Sequence, residues 1–274
     1  MKKLIALDYY VGPFTQIMRS AKFERLYYVD PFAGSGLIRV LDKYRFPGSP
    51  LVPLFRYDEA PFDKYYLSDI KASYLTSLGN RIKRIQNDRK FQVYITKKPF
   101  KEAANSLFTG IKPRYWKSAG YLVFLDPFGF EQVDWNSMKR ILTSGAVDII
   151  FTFMTFAIVW NRDNEQSKKS LNEFFGDTEW QKLNKQEEYL KYYCDKIESL
   201  GYMNKYKTVT IDVIMDGGRR YDLILATQSL GGVNVLRDLK ERVKAVTPDL
   251  LHDAFEATVG NQREIDSYVN REGE

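Results

Sequence analysis

One cysteine and one histidine are all that the chain offers to thiol or soft-metal chemistry. A lone Cys194 can close no internal disulfide and cannot build a zinc-thiolate site. Its setting, Tyr189-Leu190-Lys191-Tyr192-Tyr193-Cys194, reads as a packed helix face. His252, in a C-terminal helical pattern, cannot supply a multi-histidine centre, so no metal is expected. The longest apolar run, 147–159, is broken by Asp148 and several threonines, which excludes a membrane span there. The short apolar run near the N-terminus is cut by Asp8, too early for a secretory signal, so a cytoplasmic location is expected. Gly-x-Gly-x-x-Gly is missing, as is the Lys-Ser/Thr ending of a phosphate-binding loop, which argues against nicotinamide and ATP. No internal repeat or low-complexity segment stands out.

What is present fits one large α/β domain of 274 residues, with 44% hydrophobic and 28% charged residues. The net charge of +6 favours an anionic partner without demanding one. Basic groups gather at Arg81, Lys83, Arg84, Arg89 and Lys90, at Lys97, Lys98 and Lys101, and at Arg219-Arg220. On helices such residues usually form a solvated face, but with nineteen Tyr and eighteen Phe they also suit a nucleic-acid partner.

Hydrophobic periodicity places a helix over Leu7, Tyr10, Val11, Phe14, Ile17, Met18 and Ala21, with a kink or restart at Gly12-Pro13. Strands are expected at 26–29, 65–69, 91–95, 121–125 and 147–153, alternating with helices as in a doubly wound, mostly parallel sheet. After the first strand, Leu37 is expected to start a short helix. Ser49 and Pro50 suit an N-cap and first position of another. Asp134 is read as the cap of a helix beginning at Trp135. Two further β-rich runs, 208–215 and 221–227, meet at Asp216-Gly217-Gly218-Arg219. An antiparallel hairpin closing a parallel sheet marks the class I methyltransferase variant of this architecture. The span 155–200 has no strand signal. The organisation is therefore read as 1–154, the cofactor-binding part; 155–204, a helical insertion suited to substrate recognition; and 205–274, the closing hairpin and C-terminal helices.

Two strands end in Asp-Pro-Phe, and these endings carry the functional argument. The first is Asp30-Pro31-Phe32-Ala33-Gly34-Ser35-Gly36. In an open α/β sheet, ligands sit beyond the carboxyl ends of strands. The small residues Gly34, Ser35 and Gly36 let backbone approach a ligand, and the start of a following helix would offer N–H groups to its carboxylate. Asp30 suits the ammonium, and Phe32 belongs to the same turn. Asp69 ends the second strand, where a carboxylate can accept ribose hydroxyls, and Ile70 can flank adenine. The interval from Asp30 to Asp69 exceeds the ~20 residues of a minimal unit, so the Pro47–Pro50 region must be an excursion. The second ending, Asp126-Pro127-Phe128-Gly129, is similar to the Asp/Asn-Pro-Pro-aromatic turn of amino-group methyltransferases. There the carboxylate or amide oxygen and the proline carbonyl accept N–H bonds from a target amine, and the aromatic holds a flat ring. Here Phe128 stands in place of the second proline. Trp135 and Asn136 follow closely enough to line the same pocket.

These stretches, with Gly48-Ser49-Pro50, Asp134-Trp135, Phe175-Gly176 and Tyr221-Asp222-Leu223-Ile224-Leu225-Ala226-Thr227, resemble the three-Cys-motif partner protein family. The resemblance implies a methyltransferase-like Rossmann fold and a separate partner protein carrying a three-cysteine motif. After the third strand that family tends to carry an acidic residue that reads adenine, whereas this chain has Thr96-Lys97-Lys98-Pro99. The leading expectation is an S-adenosylmethionine-dependent methyltransferase with an amino-type acceptor, such as a nucleobase. A methyltransferase-like scaffold without turnover, working through a partner, is the alternative. A nuclease accessory role lacks paired carboxylates at metal-ligand spacing.

Overall fold

The computed structural model describes residues 1–40, 44–86, 91–109, 119–201, 204–214 and 219–246. Its strands, in chain order, are β1 (Arg25–Asp30), β2 (Leu37–Val40), β3 (Tyr44–Pro47), β4 (Lys64–Asp69), β5 (Gln92–Lys97), β6 (Ala119–Leu125), β7 (Ala146–Phe153), β8 (Lys207–Ile214) and β9 (Arg220–Thr227). Seven of them form one sheet in the order β5-β4-β1-β6-β7-β9-β8. The first five of these pair in parallel, while β9 runs antiparallel to both β7 and β8. The expected doubly wound sheet with a closing hairpin is what the chain adopts. The hairpin's turn at 215–218 lies outside the described residues, as do Arg89, Lys90 and His252.

Burial explains the order. All eight residues of β7 are buried, as expected of a strand covered on both faces. On β8, at the sheet edge, buried and more exposed positions alternate. Helices α1 (Lys2–Ser20), α2 (Val52–Phe55), α3 (Ala72–Gln86), α4 (Phe100–Phe108), α5 (Trp135–Leu142), α6 (Thr155–Asn161), α7 (Glu165–Phe175), α8 (Gln186–Glu198) and α9 (Leu230–Ala245) divide between the two faces. On one face α1, α3 and α9 bury Leu7, Phe14, Leu78 and Leu236 against Tyr28, Leu122 and Leu223. On the other, α4, α5, α7 and α8 bury Phe100, Met138, Phe174 and Tyr193 against Val29, Val123 and Phe151. Successive residues such as Tyr28 and Val29 serve opposite layers, as the two-residue period of a strand requires.

The strandless span 155–200 is helical as expected, and it supplies much of that second layer. Phe174 and Tyr193 stack at 4.9 Å between ring centres, and both lie against Phe153. Cys194 is buried there, and burial pushes its thiol up to about 12, consistent with a packed side chain rather than a nucleophile.

Two local expectations are overturned. Leu37 does not start a helix: β2 pairs antiparallel with β3, Leu37 opposite Pro47 and Ile38 opposite Phe46. Gly36 turns the chain with φ 82°, and its carbonyl accepts the Gly48 N–H at 2.7 Å, closing the base of this ribbon. Strand propensity in Ile38 and Phe46 does the rest. Ser49 and Pro50 precede rather than begin a helix: α2 has Leu51 at its N-cap position and Pro53 in its first turn. The buried Ser49 instead uses its carbonyl to accept the Tyr28 hydroxyl at 2.9 Å. At Gly12-Pro13 the helix does not restart, since α1 spans Lys2–Ser20 with Pro13 inside it. The hydrogen bond that Pro13 cannot make is offset by burial of Tyr10, Val11 and Phe14 on either side.

Candidate functional site

The sheet reverses its winding between β1 and β6, and there the carboxyl ends of neighbouring strands leave a crevice. Asp30 closes β1, Asp126 follows β6, and Asp69 closes β4 on the other side. Two cavities of about 560 Å³ each open onto these ends. One is lined by Pro31, Asp69, Ile70, Pro99 and Phe100, and the other by Gly34, Ser35, Gly36, Asp126 and Pro127. Phe32, Tyr74 and Phe128 line both, so the two are compartments of one cleft.

The glycine turn is held from several sides. Asp69 accepts the Gly34 N–H through Oδ2 at 3.0 Å and the Lys71 N–H through Oδ1 at 2.9 Å. Arg81, on α3, donates to the Ser35 carbonyl at 2.9 Å. The Ala33 N–H donates to the Ser68 carbonyl at 2.9 Å. With φ 57°, Gly34 has no atom within 4 Å of where a Cβ would stand, so its exposed side is open. Because a ribbon and not a helix follows this turn, the turn itself presents no helix N-terminus to the cleft. That corrects the expectation that helix N–H groups would receive a carboxylate.

Asp30 lies beneath the turn rather than on the cleft wall. Its Oδ1 accepts the Phe32 N–H at 3.0 Å, while Oδ2 is buried without a partner. Burial pushes its carboxyl up to about 7, with Ser49 and the Phe32 amide acting in the opposite sense. Phe32 stacks on Phe100 with ring centres 5.7 Å apart. Ile70, which could simply have been core, is 52% exposed on the cleft wall.

Beyond β6, Phe128 is 83% exposed, and its N–H donates to Gln132 Oε1 at 2.7 Å. Asp134 caps α5, accepting from the Ser137 N–H at 2.9 Å and hydroxyl at 2.7 Å, and it also reaches the cleft. Trp135 is buried and Asn136 exposed, and neither lines the cavity. Asp126 is paired with Lys3 from the start of α1, a contact sequence reasoning missed entirely. Also missed are Tyr74, Thr152 and Tyr221, together with Glu131 and Glu173. Spacing along the chain has no signal for groups gathered from α1, α3, α7, β7 and β9. Of the basic residues, Lys101 reaches the cleft beside Lys71, whereas Arg220 is turned to the buried Asp222 at 2.7 Å.

Strand order, the reversed last strand and the crevice at the β1/β6 switch point together decide the architecture. The fold is that of the class I methyltransferases. Solved structures with this fold are similar over most of the chain. Protein LPL1258 of Legionella pneumophila, from family DUF519, aligns with a TM-score of 0.55 at 12% identity, covering 88% of this chain and 91% of its own. An O-methyltransferase from Bacillus cereus in complex with SAH gives 0.46 at 8% identity, covering 80% of each chain. Trm1 of Pyrococcus horikoshii with S-adenosyl-L-methionine gives 0.42 at 11% identity, covering 85% of this chain and 57% of that one. No family model matches the sequence, and no curated protein does. The likeness to LPL1258 extends to the fold and not to the three-Cys-motif partner family, a partner protein or nucleic acid. Among the described residues, no helix is long and apolar enough to cross a membrane. Nor is there a group of three or more His, Cys, Asp or Glu side chains placed to hold a metal ion.

Proposed function

We propose that the protein is an S-adenosylmethionine-dependent methyltransferase whose acceptor is a flat, amino-bearing ring such as a nucleobase. The observation that carries this reading is the single cleft, in which the glycine turn and Asp126-Pro127 share one compartment, Asp69 and Ile70 wall the other, and Phe32 and Phe128 border both. The residues suit the cofactor. Open space at Gly34 admits a ligand against backbone, and Gly34, Ser35 and Gly36 line the compartment. Asp69 and Ile70 wall the compartment beside Phe32, and they would hold the ribose and flank the adenine. The acid absent after β5 has counterparts from elsewhere, since Glu131, Asp134 and Glu173 line this compartment.

When bound, the cofactor supplies an electrophilic methyl group on a sulfonium. The protein's part is then mostly orientation. Asp126 and the Pro127 carbonyl would accept N–H bonds from the acceptor and aim its nitrogen. Phe128, largely exposed at the junction of the two compartments, would stack on its ring. If the base comes from a duplex it must first leave the stack, at a cost of a few kcal/mol.

Calorimetry with S-adenosylhomocysteine tests the cofactor half: wild type should bind, and Gly34→Val should lose at least tenfold in affinity. Unchanged affinity in that variant removes the assignment of the turn. Labelled S-adenosylmethionine offered with RNA, DNA or protein tests the second half, with Asp126→Ala expected to abolish label transfer while retaining cofactor. The scaffold reading is favoured by one observation, the Lys3 ammonium already seated on Asp126. Cofactor binding without transfer to any acceptor would decide for it.

A further inference from the structure

Lys3 and Asp126 form an ion pair inside the compartment that also holds Gly34, Ser35 and Gly36. Lys3 Nζ lies 2.6 Å from Asp126 Oδ2 and 2.8 Å from Oδ1, so one ammonium engages both carboxylate oxygens. The two side chains are 30% and 22% exposed, and pairs this accessible contribute little to folding. Their consequence is electrostatic and local. Among the described residues lining that compartment, these are the only two with charged side chains, and the Met1 α-ammonium, lowered by burial and Lys3 and raised by Asp126, lines it as well. Removing either one changes the charge of the wall by a full unit.

Two features of the pair bear on what the compartment selects. Lys3 uses the same oxygens that an acceptor's N–H groups would need, so the acceptor must displace it. Meanwhile the neutralised carboxylate exerts only a dipolar pull on a cation bound nearby. We propose that Lys3 is the internal counter-ion of Asp126, a specificity-determining residue that limits the preference of the cleft for a sulfonium over a neutral thioether. It keeps the acceptor's place at Asp126 until N–H donors arrive. This inference rests on the methyltransferase reading above.

S-Adenosylmethionine and S-adenosylhomocysteine make the test, because one sulfur is a cation and the other is not. Their affinities would be measured by calorimetry at low salt for wild type, Lys3→Met, Lys3→Arg, Asp126→Asn and the Lys3→Met/Asp126→Asn double variant. Lys3→Met should shift the affinity ratio toward the sulfonium by about tenfold, the size of one uncompensated charge at several ångströms in a partly screened site. Lys3→Arg should leave the ratio near wild type, Asp126→Asn should shift it the other way, and the double variant should return it. Both ligands binding with a ratio that Lys3→Met moves less than twofold overturns the inference and leaves the methyltransferase reading standing. Binding of neither ligand to any of these proteins overturns both.

Discussion

Asp30 and Asp148 are carboxylates that folding removes from water, and each should leave a mark on the pH dependence of stability. Burial raises Asp30 from 3.8 to about 7 and Asp148 from 3.8 to about 6. Asp148 is opposed by hydrogen bonds from Tyr10, Thr227 and the Gln228 backbone, the Tyr10 bond being 2.7 Å. Between the unfolded and folded values the folded chain holds the extra proton. Stability should therefore fall as pH rises from about 4 to about 7, and level off above, with both contributions fully present below pH 4. Each tenfold gain in proton affinity on folding is worth about 1.4 kcal/mol, so the decline owed to Asp30 is a few kcal/mol at most. Urea unfolding at pH 5 and pH 8 should show the decline, and Asp30→Asn or Asp148→Asn should each flatten part of it. An Asp30→Asn protein with the wild-type slope would show that this carboxyl is ionised in the fold.

At the scale of elements, the glycine turn and its ribbon separate two substitutions that look alike in the sequence. Gly36 has φ 82°, and a Cβ there would stand 2.7 Å from Leu78 Cδ1 and 3.2 Å from Leu51 Cγ. Gly34 has φ 57° with nothing within 4 Å. Both substitutions to alanine carry the left-handed backbone cost of ~1–2 kcal/mol, but only Gly36→Ala must also push into the core, adding ~1–3 kcal/mol. Gly36→Ala should therefore destabilise by roughly twice as much as Gly34→Ala in urea titration. Equal losses would contradict the packing of Leu78 and Leu51 over the turn. In calorimetry Gly34→Ala should weaken S-adenosylhomocysteine although its fold persists, because its added methyl occupies the open side.

Considered as a whole, the molecule presents one cleft made by three strand ends that are far apart in the chain. A ligand spanning it should protect them together. Amide exchange with saturating S-adenosylhomocysteine should slow peptides covering 30–36, 69–74 and 126–132 in concert. The start of β8 at the sheet edge should be unaffected. At a hundredfold excess over its Kd the ligand should also add about 2.7 kcal/mol of stability, read as a raised unfolding midpoint. Protection confined to one of the three peptides would mean that the compartments do not act as a single site.

Much of this was legible in the amino-acid order alone, because it depends on local pattern. Alternation, apolar runs and turn residues near 30–36, 126–129 and 134 specify where strands end and which residues stand there. The antiparallel closing pair was likewise visible in two adjacent β-rich runs. Local pattern misled where long-range pairing competes with it. The ribbon after Gly36 forms because β2 meets β3 across a register that only the folded chain establishes. α1 crosses Pro13 because packing against the sheet outweighs one lost hydrogen bond. Tertiary structure alone brought Lys3 to Asp126, 123 residues apart, and turned Arg81 onto the Ser35 carbonyl. It also drew Glu131 and Glu173 to the compartment where an acid was missing after β5. Sequence determines the residues at each strand end because turn chemistry is short-ranged. Which distant side chains neutralise or complete them is settled by packing, which brings remote parts of the chain together.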